Sequence, residues 1–187
     1  MSRFRAVIPL ILLSAIAVAQ QSAPAAIPRL CVANVRNETK LDISMPKLRD
    51  LLVSQIKQGN LARNSRLEVL PLTEDTEEQA MPEVRQQHCD FAVYPRLMMF
   101  RVQPRDLTTQ GTVIYRNDEG QANQQLVPGI QFTVVRIQSG IPILIDRRIA
   151  TKPYQSENDL LPLVEPVGDR IQRELEKRLL APAKPGI

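Results

Sequence analysis

One stretch of the sequence constrains the fold more than any other. It covers residues 89–100, which read CDFAVYPRLMMF. Its first half is a nearly continuous apolar run, and its second half alternates less cleanly between apolar and polar residues. Such a run is typical of a strand that is buried on both faces because helices cover the sheet. The stretch therefore predicts an α/β protein built around a buried strand.

The first 19 residues have the pattern of a cleaved secretory signal peptide. Arg3 and Arg5 form a positive segment, residues 6–18 are apolar, and Ala17-Val18-Ala19 is a small-x-small cleavage site before Gln20. The apolar segment is shorter than the ~20 residues that a membrane-spanning helix needs. No cysteine directly follows it, so we expect no lipid anchor. We predict a periplasmic or secreted protein, cleaved near Ala19.

The composition indicates how the chain is divided and which classes of partner it can bind. Residues 20–29 are predicted to be a flexible leader, 30–180 a single domain and 181–187 a disordered tail. The full chain has a formal net charge of +4, and two of its cations belong to the signal peptide. Aromatic residues make up only 4% and tryptophan is absent, so surfaces that stack on bases are poorly supplied. We therefore expect no nucleic-acid partner, and no transmembrane segment in the mature chain.

The first half of the domain predicts alternating strands and helices. Residues 30–35 form the first strand, and a helix begins after Ser44 and ends near Gly59. Residues 66–72 are predicted to form the second strand. A second helix is expected to start near Met81, because Pro82 is costly inside a helix. Residues 89–100 form the third strand. The order strand, helix, strand, helix, strand predicts a parallel sheet with helical crossovers.

The second half predicts an antiparallel hairpin and a last helix. Residues 111–115 are a strand candidate, and residues 117–129 indicate a mobile loop, the least ordered internal segment. Two β-branched runs, 130–137 and 141–149, flank Gln138-Ser139-Gly140 and form the clearest hairpin signal. In the second run, one face is predicted to carry Ile141, Ile143, Ile145 and Ile149.

The last helix is amphipathic. Ser156 and Asp159 resemble a capping box with Asp in place of Glu. Pro166 marks either a kink or the true start of the helix. Apolar residues repeat every three to four positions at Leu160, Val164, Val167, Ile171, Leu175 and Leu179. The fold class is thus α/β, a single domain of two or three layers. Its mixed sheet joins a β-α-β-α-β unit to an antiparallel hairpin, with a C-terminal amphipathic helix.

Cys31 and Cys89 are the only cysteines in the chain. Two cysteines in an exported protein most often form a disulfide. If the first and third strands are adjacent and parallel, the two residues lie side by side at the starting ends, within the ~4.4–6.8 Å between Cα atoms that a disulfide requires. The alternative is a redox-active pair, but there is no Cys-x-x-Cys. We predict a structural Cys31–Cys89 disulfide.

The sequence holds no identifiable catalytic, cofactor or metal site. His88 is the single histidine, and its position at a helix–strand junction favours a structural role. The densest acidic cluster lacks the glycine and ligand spacing of a calcium loop and predicts a solvated loop or helix start. It comprises Glu74, Asp75, Glu77 and Glu78. We therefore expect no catalytic residue, no cofactor and no metal.

The order of elements and several short motifs resemble a bacterial envelope domain. The motifs are the Asn-Glu-Thr turn at 37–39, the strand Cys-Asp-Phe-Ala-Val-Tyr-Pro at 89–95 and the hairpin turn Ile-Gln-Ser-Gly-Ile-Pro at 137–142. The domain is shared by the curli secretion lipoprotein, the penicillin-binding-protein activator lipoprotein and the N-terminal domain of the Tol translocation protein. In that group the third strand often reads Ala-Asp-Tyr-Val-Val-Tyr-Gly. The resemblance covers residues 30–180 and departs at Pro95 and at the missing lipobox cysteine.

The resemblance implies a non-enzymatic protein-binding or adaptor module of the bacterial cell envelope, with an envelope protein as partner. An exported hydrolase with an unrecognised carboxylate site is the alternative. A homo-oligomeric assembly subunit, in which the 117–129 loop orders on association, is the third reading. A cleft with converging Asp and Glu residues would favour the enzyme. An open sheet edge or an apolar patch would favour binding.

Overall fold

The computed structural model describes residues 27–102, 125–150, 156 and 160–180. The predicted signal peptide, the strand candidate at 111–115 and the tail lie outside these residues. Within them, strands and helices alternate along the chain: β1 (Arg29–Val32), β2 (Arg36–Asn37), α1 (Met45–Lys57), α2 (Asn60–Arg63), β3 (Glu68–Pro71), α3 (Glu77–Gln86), β4 (Phe91–Val102), β5 (Gln125–Arg136), β6 (Ile141–Ile149) and α4 (Leu161–Leu179).

The described strands form one mixed sheet in the order β3-β1-β4-β5-β6, and the short β2 also pairs with β4. Strand β1 lies between β3 and β4 and runs parallel to both. Strands β4, β5 and β6 form an antiparallel meander. The predicted fold class is confirmed. The first and third predicted strands correspond to β1 and β4, and they are neighbours, which meets the condition for the predicted disulfide.

Helices cover both faces of the sheet, so the domain has three layers. Helices α1 and α4 pack on one face, in a cluster that includes Phe91 and Val93 of β4. Helix α3 packs on the other face, in a smaller cluster that includes Ala92 and Tyr94. Successive side chains of a strand point to opposite faces. The apolar run at the start of β4 is therefore the consequence of burial on both sides.

Helix α3 begins at Glu77, so the predicted start near Met81 is wrong. The hydroxyl of Thr76 accepts a hydrogen bond from the backbone N–H of Gln79 at 3.3 Å and caps the helix. Pro82 lies inside the helix and is exposed. Proline removes the bond to the carbonyl four residues earlier, which here belongs to the exposed Glu78. Solvent access to that carbonyl makes the proline tolerable.

Helix α4 begins at Leu161, with Leu160 as its N-cap residue and no side-chain cap hydrogen bond. Asp159 of the predicted capping box lies outside the described residues. Pro166 lies inside the helix and does not mark its start. The proline at position 162, in the first turn, occupies the place that proline favours.

Strand β5 begins at Gln125, so the prediction of a loop over 117–129 is wrong for residues 125–129; residues 117–124 lie outside the described part of the chain. The polar composition of this segment favours a loop, but pairing with β4 decides otherwise. The ladder is regular from Phe91 opposite Arg136 to Val102 opposite Gln125.

The hairpin of β5 and β6 is confirmed, but the predicted isoleucine face is wrong. The register shifts between Val134 and Val135. As a result Ile145 lies opposite Thr133, whereas Ile141 lies opposite Arg136. Thr133 and Arg136 are three positions apart in a strand that alternates regularly, so these two isoleucines point to opposite faces. Ile145 lies on the side of α3, and Ile141 lies on the side of α1 and α4.

A polar contact joins α4 to the end of α1. Gln172 is the one buried polar side chain among the described residues, with 6% of its surface exposed. Its amide nitrogen donates to the carbonyl of Ile56. The amide also lies where a Cβ on Gly59 would be. The apolar pattern of α4 did not indicate this contact.

Candidate functional site

The structure places a disulfide between Cys31 and Cys89, with 5.9 Å between their Cα atoms. The two residues do not lie at equivalent starting ends of their strands. Cys31 is inside β1 and opposite Ala92, whereas Cys89 precedes β4. Both side chains are buried in the cluster under α3. Because neither sulfur is open to solvent, the geometry favours a structural bond over a redox-active pair.

His88 ends helix α3 and has a left-handed backbone, with φ 52°. Its N–H donates to the carbonyl of Arg85 at 3.2 Å, and the next N–H, of Cys89, donates to Val84 at 3.1 Å. These two bonds form the Schellman motif that closes many helices, in which glycine usually takes the left-handed position. The histidine therefore serves to turn the chain from α3 towards β4.

The acidic cluster lies at the start of α3. Glu77 and Glu78 occupy the first helical turn, where negative charge stabilises a helix N-terminus. Among the residues described, no group of three His, Cys, Asp or Glu side chains is arranged to hold a metal ion. Burial, followed by the charge of Glu77, raises the pKa of nearby Tyr94 to about 12. The tyrosine hydroxyl is thus neutral at physiological pH and is a poor nucleophile.

The two outer strands of the sheet are the remaining candidates for function. In the described part of the chain, β3 pairs only with β1, and β6 pairs only with β5. An edge strand presents unpaired backbone groups to which another chain can bind. Sequence reasoning missed both edges as sites, because strand order depends on pairings between distant parts of the chain.

Strand β6 carries the two large apolar side chains that are most exposed among the described residues. Ile145 is 64% exposed and Ile141 is 61% exposed. Between them, the carbonyl of Ile143 accepts a hydrogen bond from Arg178 of α4 at 3.1 Å. This bond holds the irregular part of β6 against α4.

Asp146 ties the middle of β6 to α4. Its carboxylate lies 3.0 Å from the guanidinium of Arg170 and 3.6 Å from that of Arg148. Partial burial alone would raise the pKa of Asp146. The backbone N–H of Arg147, the Arg170 hydrogen bond and the charge of Arg148 outweigh burial and hold this pKa below its ordinary value. Asp146 is therefore charged at neutral pH, and its ion pair with Arg170 links the edge strand to α4.

Strand β3 borders a groove of about 400 Å³. Helices α1 and α2 and the strand itself supply its lining residues, which are Lys57, Ala62, Leu67, Glu68, Val69 and Leu70. Glu68 is paired with Arg29 at 2.7 Å. The lining is thus mostly apolar, with Lys57 as a cation on one wall.

Comparison with known proteins finds similarity only in structure. No protein-family model matches the chain. No curated protein matches it either. No helix in the described ranges is long and apolar enough to cross a membrane.

Three solved structures illustrate the likeness. The PelC dodecamer from Paraburkholderia phytofirmans is 14% identical with a TM-score of 0.48, over 80% of this chain and 91% of that one. TolB from Acinetobacter baumannii is 10% identical with a TM-score of 0.43, over 85% of this chain and 29% of that one. The C-terminal domain of LpoB from Salmonella enterica is 14% identical with a TM-score of 0.43, over 70% and 87%.

These neighbours agree with the envelope-domain resemblance at the level of the fold alone.

Proposed function

We propose that this protein is an exported, non-enzymatic binding or adaptor module of the bacterial cell envelope, and that it engages a protein partner along strand β6. One observation carries the proposal. The two most exposed large apolar side chains of the described residues, Ile141 and Ile145, both lie on this edge strand. Export is supported by the signal-peptide pattern of residues 1–19.

An exposed edge strand is a liability for a protein in isolation. Exposed apolar side chains on an edge strand invite pairing with other chains, and proteins commonly protect such edges with charge, proline or a covering element. Strand β6 has Pro142 near its start and Arg147 and Arg148 near its end, but the side chain of Ile145 between them is still 64% exposed. Burying it against a partner would remove about 1.5–3 kcal/mol of unfavourable exposure.

The alternative of an exported hydrolase has no comparable support. The clustered acidic residues lie at the N-terminus of α3, which negative charge stabilises, and His88 forms the turn that closes the helix. Among the other described carboxylates with close partners, Glu83 accepts hydrogen bonds from Thr73 and Gln87, and Glu68 is paired with Arg29 on the surface. These roles account for the residues without chemistry, so no second function is proposed.

The test compares two isoleucine-to-glutamate variants of the mature protein. Ile145→Glu places a charge on β6. Ile27→Glu makes the same chemical change before β1, at a side chain that is 49% exposed. Both variants should keep the parent's thermal stability, because both side chains are solvent-exposed. Proteins recovered with each variant from envelope extract are then quantified by mass spectrometry. We expect a partner that is recovered with the parent and with Ile27→Glu and at least about tenfold less with Ile145→Glu.

Equal recovery with all three proteins would overturn β6 as the binding edge. Light scattering on the purified parent separates the two kinds of partner. If the parent is an oligomer and Ile145→Glu is a monomer, β6 is still an interface. Its partner is then a second copy of the chain and not another envelope protein.

A further inference from the structure

Strand β6 directs the backbone of every second residue away from the sheet. Ala150 N–H, just after the strand, donates to Pro128 O of β5 at 2.8 Å. Because a strand alternates, the even-numbered residues in this part of β6 direct their backbone groups to β5. The backbone groups of Ile145 and Arg147 therefore face the free edge.

Two backbone groups along this edge are already bonded within the protein. The carbonyl of Ile143 accepts a hydrogen bond from Arg178 at 3.1 Å. The N–H of Arg147 donates to the carboxylate of Asp146 at 2.8 Å. An added antiparallel strand would need both groups, because they lie on either side of Ile145. The two bonds thus protect the edge against strand addition.

The side chains of Ile145 and Arg147 lie on the same face of the sheet. The two residues are two positions apart, roughly 7 Å along the strand, and they lie opposite Thr133 and Gln131 of β5. Ile145 is 64% exposed, and Arg147 is exposed as well. A partner can therefore reach an apolar side chain and a cation next to each other.

The guanidinium of Arg147 is held in place by an aromatic ring. Its Cζ lies 5.5 Å from the centre of the Phe100 ring, which is a cation–π contact. A Cβ on Gly129 would lie 2.7 Å from Cδ2 and Cε2 of that ring, so the ring occupies the space over the glycine. An arginine stacked on a ring still has N–H groups at its edge that can donate to a carboxylate.

No carboxylate forms an ion pair with Arg147 in the part of the chain that the structure describes. The unpaired charge also disfavours a second copy of the chain as the partner. In a twofold contact centred on Ile145, the same patch would face itself and bring two Arg147 cations together. Like charges across an interface are unfavourable, so the patch fits a protein surface of opposite charge.

We propose that the partner of β6 presents a carboxylate next to an apolar side chain, and that it binds to the side chains of Ile145 and Arg147 rather than as an added strand. The carboxylate accepts from the guanidinium of Arg147, which Phe100 orients, and the apolar side chain covers Ile145. This inference rests on the proposed function, because it specifies the partner of the same strand.

Zero-length cross-linking tests the carboxylate. Arg147→Lys keeps the charge and supplies a primary amine, which a carbodiimide joins to a carboxylate in direct contact. Arg136→Lys is the matched control, because Arg136 is also exposed and lies 5.7 Å from the centre of the Phe91 ring, but on the other face of the sheet. Each variant of the mature protein is treated with carbodiimide in envelope extract, and mass spectrometry identifies the joined peptides.

We expect an Asp or Glu of the partner whose recovery depends on Ile145 to be joined at position 147 and not at position 136. Cross-links at both positions, or at neither, would overturn the carboxylate contact. A loss of that partner with Ile145→Glu would then still support β6 as the binding strand, so the two proposals fail separately. Sedimentation of the parent with phosphatidylglycerol vesicles, abolished by Arg147→Glu, would assign the contact to a lipid phosphate and would also overturn it.

Arg178→Ala tests the mode of binding, because it frees the carbonyl of Ile143 and opens the edge to strand addition. Recovery of the partner should not rise with this variant, and a rise would overturn binding through side chains. Hydrogen exchange on the unmodified protein checks the protection of the edge independently of any substitution. The amide of Arg147 should exchange more slowly than that of Ile145, because Asp146 accepts its hydrogen. The reverse order would overturn the protection.

Discussion

At the scale of single residues, two helices end in the same way on a residue that is not glycine. Ser65 after α2 and His88 after α3 both have φ near 50°. Ser65 N–H donates to Ala62 O at 3.0 Å, and Arg66 N–H donates to Leu61 O at 2.9 Å, which repeats the pattern at His88. A left-handed backbone costs an L-residue with a side chain roughly 1–2 kcal/mol. Each of these turns therefore carries a local strain that glycine would not.

His88→Gly should raise the free energy of unfolding by about 0.5–1 kcal/mol, because relief of the left-handed strain exceeds the added flexibility of the unfolded chain. Urea denaturation measures the change. Gln86→Gly is the matched control, because Gln86 is the last residue of α3 and needs no positive φ. That variant should lose stability instead. A loss of stability in His88→Gly would contradict the structural role, and would point to a contact of the imidazole that matters more than the turn.

At the scale of elements, the packing of α4 on α1 depends on a glycine. A Cβ added to Gly168 would lie 2.7 Å from Cγ and 3.3 Å from Cβ of Gln55 on α1. Both of those atoms lie close to the backbone of α1, so they cannot swing away as the end of a side chain would. The absence of a side chain at Gly168 thus sets how closely the two helices approach.

Gly168→Ala should lower the free energy of unfolding by about 1 kcal/mol. Overpacking costs typically 1–3 kcal/mol, and the better helix propensity of alanine returns about 1 kcal/mol. Thermal or urea denaturation checks the sign, which is opposite to what helix propensity alone predicts. Adding Gln55→Ala removes Cγ, the closer of the two crowding atoms, so the double variant should be more stable than Gly168→Ala alone. Strict additivity of the two substitutions would contradict the contact.

At the scale of the whole molecule, the disulfide joins the two central parallel strands across 58 residues of chain. The loop that it closes contains helices α1, α2 and α3 and strand β3. The bond therefore constrains the larger part of the β-α-β-α-β unit in the unfolded state. The chain-entropy model gives such a loop a stabilisation of about 4 kcal/mol, which is a large share of the 5–15 kcal/mol of a typical domain.

Replacing Cys31 and Cys89 together with alanine should lower the free energy of unfolding by up to about 4 kcal/mol and keep the fold. Reductant should lower the melting temperature of the parent and have hardly any effect on the double variant, which is its control. Thiol titration of the natively purified protein is the direct measurement. Two reactive thiols in the folded, exported protein would contradict the bond.

Much of the fold followed from local patterns, and the exceptions have physical causes. The helix from Met45, the hairpin around Gly140 and the buried strand after Cys89 follow from periodicity and turn chemistry. The start of α3 was misplaced because the exposed position of Pro82 cannot be read locally. The start of β5 was missed because Pro128 and Gly129 interrupt its apolar run, yet both residues pair with β4. Neither edge of the sheet could be identified from the sequence as a candidate binding surface, because no motif marks an edge strand.

By itself the sequence determined the α/β class, the signal-peptide pattern and the order of the longer described elements, but not the short β2 and α2. Those properties depend on side chains within a few positions of one another. Only the tertiary structure decided that β1 lies between β3 and β4, which leaves β3 at one edge and β6 at the other. It also decided that Ile141 and Ile145 point to opposite faces, since the register shift opposite Val134 and Val135 reverses the alternation. Such features arise from hydrogen bonds between strands far apart in the chain, so local periodicity does not predict them.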